Sequence, residues 1–273
     1  MPWRSCRCRR GAVKLGALHY EIHGRGRDLV LLHGWSLNLH VFDELTAALA
    51  RRFRVIAIDL PGHGRSDWDA SASTPAAHSW RVHETLAPLT ERYTLLGWSL
   101  GGQYALDLAA AMPAGIERLA LVSTTPRFLA TPGWPYGTAP ALLAKLAERL
   151  SEETPRALDD FMRLQVRGNT PRTAARVLRT LRAALRAGAA RPDALAHGLE
   201  RLRNADLRPA LSMVRVPTLV IAGSHDRIVR PAASQALAAL ADARYVEFKA
   251  AAHVPFVSHP KRFAEVVTEF ARG

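Results

Sequence analysis

The sequence predicts an α/β fold: a mostly parallel sheet flanked by helices, with an inserted helical cap. Two observations carry this prediction. Short β-like runs alternate with helix-like segments, the signature of a parallel sheet covered on both faces. The alternation then stops between residues 124 and 208, where only helical patterning continues.

The elements follow in order. Residues 18–23 (LHYEIH) alternate as a strand with one wet face. Residues 29–32 (LVLL) form a short apolar run ending at His33-Gly34, and residues 54–58 (RVIAI) end at Asp59. Residues 93–96 (YTLL) end at Gly97. Helix-like segments at 39–51 and 76–90 fill the gaps. Three further strands are expected at 118–123 (RLALVS), 218–222 (TLVIA) and 244–248 (RYVEF). Between them, helices are predicted at 140–150, 156–166, 172–187 and 192–203, punctuated by Pro132, Pro135, Pro155, Pro171 and Pro192. Residues 16–123 and 209–273 are thus read as the core and 124–208 as a cap over the strand ends. In such sheets ligands bind beyond the carboxyl ends of the strands.

Composition narrows the class. Hydrophobic residues make up 48%, ordinary for a globular protein and too many for disorder. There is no apolar run long enough to span a bilayer, which takes about 18 residues. The start, MPWRSCRCRR, is basic but lacks a following apolar stretch, so it is not read as a secretory signal. Residues 1–15 are expected to be a disordered basic tail. The two cysteines, Cys6 and Cys8, lie in it and make a poor disulfide framework or metal site. A cytoplasmic location is expected. The net charge of +13 predicts attraction to an acidic partner. Nucleic acid is not expected, because no interleaved aromatics and no recognition motif accompany the charge.

One stretch carries chemistry. In LLGWSLGGQYALD, Gly97-Trp98-Ser99-Leu100-Gly101 fits G-x-S-x-G directly after an apolar strand and before a helix. That context predicts a nucleophile elbow: a strained strand-to-helix turn that lifts the Ser99 hydroxyl and leaves no room for side chains beside it. A serine hydroxyl needs a base, and the base needs an orienting acid. Asp226, after TLVIA, and His253, after RYVEF, follow in the order Ser, acid, His and fall at strand ends. His253 is the expected base and Asp226 its orienting acid. His225 is expected to point elsewhere, His259 to be a surface residue or to start a helix, and Asp59 to be structural. The oxyanion donors are expected to be the backbone N–H groups of Leu100 and Trp35. The indoles of Trp35 and Trp98 either wall an acyl pocket or fill the core.

At this point a resemblance can be stated. LLHGWSLNLHVFDEL, RVIAIDLPGHGRSD, LLGWSLGGQYALDLA, VPTLVIAGSHDRIV and AAHVPFVSHPKRF together resemble the α/β-hydrolase superfamily over nearly the whole chain. More narrowly, HGWSLN, GWSLGGQYAL, FMRLQVRGNT, NADLRPAL and AAHVPFVSHP resemble the BioH carboxylesterases, which hydrolyse pimeloyl-[acyl-carrier protein] methyl ester in biotin synthesis. The resemblance implies Ser99, Asp226 and His253 as the triad. It also implies substrate contacts from Trp35, Ser99, Leu100, His253 and the cap run Phe161, Met162, Arg163, Leu164 and Gln165. It implies no metal or organic cofactor. A general short-chain carboxylesterase, another cofactor-free hydrolase and a non-catalytic binding protein are the alternatives.

The cap is also unusually basic. Arg172, Arg176, Arg179, Arg182 and Arg186 recur at helical spacing, opposite Val177, Leu178, Leu181 and Leu185. Given the resemblance, this face is the expected dock for an acidic acyl-carrier protein; the plain alternative is a solvated arginine-rich helix. The chain is expected to be a monomer.

Overall fold

The computed structural model describes residues 18–69, 74–111 and 114–273. The expected N-terminal tail and both cysteines lie outside the described residues.

Seven strands form one sheet: β1 (Tyr20–Gly24), β2 (Asp28–Leu32), β3 (Arg54–Ile58), β4 (Tyr93–Trp98), β5 (Ile116–Val122), β6 (Thr218–Gly223) and β7 (Arg244–Phe248). Their order is β1-β3-β2-β4-β5-β6-β7. Within this sheet only β1, at one edge, pairs antiparallel; every other neighbour, including β7 at the other edge, is parallel. The central strands β4 and β6 are buried along their whole length. This explains why their sequences read as unbroken apolar runs: both faces of the sheet are covered.

Successive strand residues feed two separate cores, as the two-residue repeat of a strand requires. Val30, Leu32, Leu95 and Val220 face one side, where they meet Leu106 and Ala109 of α3 (Leu100–Ala111) and Leu237 of α8 (Pro231–Leu240). On the other side Leu29, Leu31, Leu96 and Ile221 meet Leu45 of α1 (Asp43–Leu49) and Phe263 and Val267 of α10 (Pro260–Arg272). The helix α2 (Pro75–Leu86) and the short α9 (Pro255–Ser258) complete the layers.

The predicted helix at 39–51 divides into a 3-10 turn, Leu39–Phe42, followed by α1. The cause is local: the Asn38 side chain caps His40 N–H, and Asp59 Oδ1 takes Leu39 N–H at 2.7 Å. These bonds fix the chain before α1 can begin.

Four helices stand between β5 and β6: α4 (Pro140–Glu152), α5 (Thr154–Gln165), α6 (Pro171–Ala187) and α7 (Pro192–Asn204). Each begins with proline in its first turn, where the missing N–H costs nothing. They are fastened to the core by specific bonds as well as by apolar packing. Asn38 Nδ2 donates to the Ala184 and Gly188 carbonyls at 2.6 and 2.7 Å. Arg191 N–H reaches Gly62 O at 2.8 Å. Arg201, 2% exposed, binds Asp107 at 2.7 Å and lies over the Tyr104 ring. An arginine this buried is tolerated only because its charge is paired.

Candidate active site

The turn between β4 and α3 holds Ser99 at φ 54°, a left-handed conformation that non-glycine residues rarely adopt. Two bonds pin it there: Ser99 N–H donates to Val122 O at 2.9 Å, and the Thr124 hydroxyl donates to Ser99 O at 2.7 Å. The flanking glycines are steric necessities. A Cβ on Gly97 would lie 2.4 Å from Gly101 O, and one on Gly101 would lie 2.4 Å from the His33 and Leu32 carbonyls. The strand, the helix and the loop after β2 converge too closely for any side chain.

His253 Nε2 lies 3.0 Å from Ser99 Oγ, and His253 Nδ1 lies 2.8 Å from Asp226 Oδ2. Asp226 Oδ1 is occupied by the Ile228 and Val229 backbone N–H groups at 2.8 and 3.0 Å. Those two donors occupy Oδ1 and leave Oδ2 for the imidazole. Oδ2 accepts from Nδ1–H, and in that tautomer Nε2 is an acceptor facing the serine hydroxyl. Asp226 and His253 are buried while Ser99 is partly open to solvent, so the arrangement is reached from the serine end.

The loop after β2 is set by histidine and aspartate. Leu60 N–H donates to His33 Nε2 at 2.9 Å, and His33 Nδ1–H donates to Gly34 O at 2.8 Å. Burial, reinforced by neighbouring His63, drives the His33 pKa well below its usual range, so the ring is neutral and serves both bonds. Asp59 receives Leu39 and Arg65 N–H groups, and burial raises its pKa. Gly34 packs against this site: a Cβ there would lie 3.3 Å from Ser99 Cβ. The next residue is Trp35. Among the described residues, neither Trp35 N–H nor Leu100 N–H has a protein acceptor.

The two tryptophans differ. Trp35 donates its indole N–H to Leu195 O of α7 at 3.0 Å and meets the Phe161 ring edge-on at 5.0 Å, joining the β2 loop to the inserted helices. Trp98 is not a pocket wall. It is 1% exposed, packs against Phe42 and Phe256, and donates its indole N–H to His253 O at 2.9 Å.

The run 161–165 does not act as one surface. On α5, residues three apart share a face. Phe161 and Leu164 line a cavity of about 490 Å³. Met162 and Gln165 turn inward, Met162 joining the core with Val177 and Leu181. Arg163 turns outward to Asp159 at 2.7 Å. Gln165 is instead tied to His253 through its backbone, as His253 N–H donates to Gln165 O at 3.1 Å. Sequence reading missed Asn169, whose Oδ1 accepts Ala252 N–H at 3.2 Å. His225 is aimed away, its Nδ1 at Gly168 O, and His259 precedes α10. Among the described residues no group of three or more His, Cys, Asp or Glu is placed to hold a metal, and no helix is long and apolar enough to cross a membrane.

On α6 the arginines divide. Arg176 pairs with Glu44 and Arg182 with Asp159, at 2.8 and 2.6 Å. Arg172, Arg179 and Arg186 are exposed and have no ion pair among the described residues.

Comparison with known proteins places this geometry in context. Residues 29–266 match the alpha/beta hydrolase family. A pimeloyl-[acyl-carrier protein] methyl ester esterase of Stenotrophomonas maltophilia is 40% identical over 94% of this chain and 97% of its own. One from Nitrosomonas europaea is 38% identical over 91% of this chain and 97% of its own. Among solved structures, an esterase from Exiguobacterium antarcticum superposes with a TM-score of 0.84 at 25% identity, covering 94% of this chain and 96% of its own. An enol-lactonase from Burkholderia xenovorans does so at 0.79 and 29%, covering 94% and 96%.

Proposed function

This chain belongs to the alpha/beta hydrolase family, and from that premise we propose that it is a serine carboxylesterase acting on the methyl ester of pimeloyl-[acyl-carrier protein]. The products are pimeloyl-[acyl-carrier protein] and methanol. The observation that carries the reading is the unbroken run of hydrogen bonds from Ser99 through His253 to Asp226, in a chain similar along nearly its whole length to esterases of that name.

In this mechanism Ser99 Oγ attacks the ester carbonyl as His253 Nε2 takes its proton. The negative charge formed on the carbonyl oxygen is met by the Leu100 and Trp35 N–H groups. Leu100 opens α3, so its amide carries the positive end of the helix dipole. His253, now a cation stabilised by Asp226, returns the proton to the departing methanol. Water then enters, gives its proton to His253, and its oxygen attacks the acyl-enzyme; the proton passes to Ser99 as the acid leaves.

The four helices 140–204 act as the cap, and the carrier docks on α6. Arg172, Arg179 and Arg186 recur every seven residues, which keeps them on one side of the helix. Being unpaired, they make the stronger contribution; Arg176 and Arg182 already have carboxylate partners. Charge reversal at Arg179 should slow turnover of the carrier-linked ester, as should added salt.

The deciding experiment is methanol release from the purified carrier-linked ester by wild type and by Ser99→Ala. Release by wild type alone supports the reading. Equal rates on the carrier-linked and free esters would make it a general short-chain carboxylesterase.

A further inference from the structure

The cavity of about 490 Å³ beside α5 has two characters. Its wall is apolar: Leu142, Leu143 and Leu146 from α4, Phe161 and Leu164 from α5, and Ile228. Its other lining residues include four cations, Lys145, Arg149, Arg167 and Arg227, against one carboxylate, Asp160. Arg149 is bound to that carboxylate. Lys145, Arg167 and Arg227 are exposed, and among the described residues none has an ion pair.

Elsewhere on the inserted helices several cations are neutralised by carboxylates, while Arg172, Arg179 and Arg186 on α6 are not. Arg163 and Arg182 share Asp159, Arg176 takes Glu44, and Arg201 takes Asp107. Three unneutralised charges of one sign around one apolar hollow repel each other, and a phosphate offers the oxygens that relieve them. The hollow also abuts the site on two sides. Ile228 N–H holds Asp226, and the Phe161 ring meets Trp35. A ligand with an anionic head and a long, largely uncharged tail fits: the head at the mouth, the tail within, the reacting end toward Ser99. An acyl group carried on a pantetheine arm has that form, and the arm is joined to its carrier through a phosphodiester.

We propose that Lys145, Arg167 and Arg227 form a phosphate subsite that holds the phosphopantetheine arm of the substrate. The inference rests on the carrier-linked ester reading and assigns phosphate recognition to residues distinct from the α6 stripe. Arg167 stands five residues before Arg172, so a carrier seated on α6 lies beside the subsite along the chain.

The test uses methyl pimelate as a thioester of three thiols: the carrier, coenzyme A, and N-acetylcysteamine, which lacks phosphate. Methanol release is measured for wild type, Arg167→Ala/Arg227→Ala and Lys145→Ala, with circular dichroism as a check on folding. For the double variant, kcat/KM on the carrier and coenzyme A esters should fall about 10- to 100-fold relative to the N-acetylcysteamine ester, the loss expected for one or two charge-assisted bonds. Arg179→Glu should lower only the carrier rate. An equal loss on all three esters, or on none, overturns the subsite; a loss on the coenzyme A ester alone reassigns it to free thioesters and overturns the carrier-arm role. Should wild type release no methanol from any ester, the esterase reading fails by itself. Calorimetric titration with coenzyme A then still decides the subsite: saturable binding lost in the double variant supports it, and no binding by wild type overturns it.

Discussion

The indole N–H of Trp98 donates to the backbone carbonyl of His253 at 2.9 Å, so the residue immediately before the serine also holds the histidine. Two members of the hydrogen-bonded relay, separated by 154 residues in sequence, are thereby referred to one rigid side chain buried between Phe42 and Phe256. Replacing Trp98 by Phe keeps most of the apolar volume and removes the donor. We expect kcat to fall about 5- to 10-fold with KM little changed, the size of one neutral hydrogen bond. Steady-state kinetics on a small ester checks this, and an unchanged kcat would show that the indole only fills space.

Asp226→Asn retains both backbone donors to Oδ1 but presents an amide to His253 Nδ1. The imidazole is driven to the wrong tautomer, with its proton on Nε2. A loss in kcat on the order of 10⁴ is expected, as in other acid–histidine–serine systems. Labelling of Ser99 by a fluorophosphonate should slow in parallel; undiminished labelling would mean that the acid does not orient the base.

Asn169 accepts Ala252 N–H, one residue before the base. Asn169→Ala leaves that amide without its partner and should lower kcat roughly 3- to 10-fold. Asn169→Asp, which keeps an acceptor at the same place, should restore most of it. Thermal melting separates the two effects: a purely structural role predicts lost stability in both variants with no rescue of kcat.

His63 is buried beside the His33 ring, with His197 nearby, and donates Nδ1–H to Pro61 O at 2.9 Å. Burial lowers its pKa from 6.5 to about 4, and burial also lowers that of His197. For His63 the unfolded chain binds the proton first as pH falls. Its stabilising contribution is therefore complete above pH 6.5, declines as pH drops, and is gone below about 4. It amounts to at most about 3 kcal/mol. Denaturant midpoints measured between these limits should fall with pH in the wild type and fall less steeply in His63→Asn.

The sheet was legible wherever a strand is central. The apolar runs at 54–58 and 218–222 fall on β3 and β6, because burial on both faces leaves almost no polar position to blur them; β7, half-buried at the sheet's edge, was found at 244–248 from its β-forming residues alone. The serine turn and the order of its two partners were legible too, since the elbow demands glycine at defined offsets and each partner follows a strand. What sequence hid is the support around them. The roles of Trp98 and Asn169 depend on partners 155 and 83 residues away, which no local pattern encodes. The run 161–165 misled for the opposite reason. Five neighbours in sequence point around a helix in different directions, and only Phe161 and Leu164 meet the hollow.

The segment that joins α5 to α6 is also a tether. Through Gln165 O, Gly168 O and Asn169 Oδ1 it grips residues 253, 225 and 252. Displacing this segment would break the bond to His253 N–H and carry the imidazole out of line with Ser99. The nucleophile is therefore armed only while the joint between the two helices is seated on the loop that bears its partner.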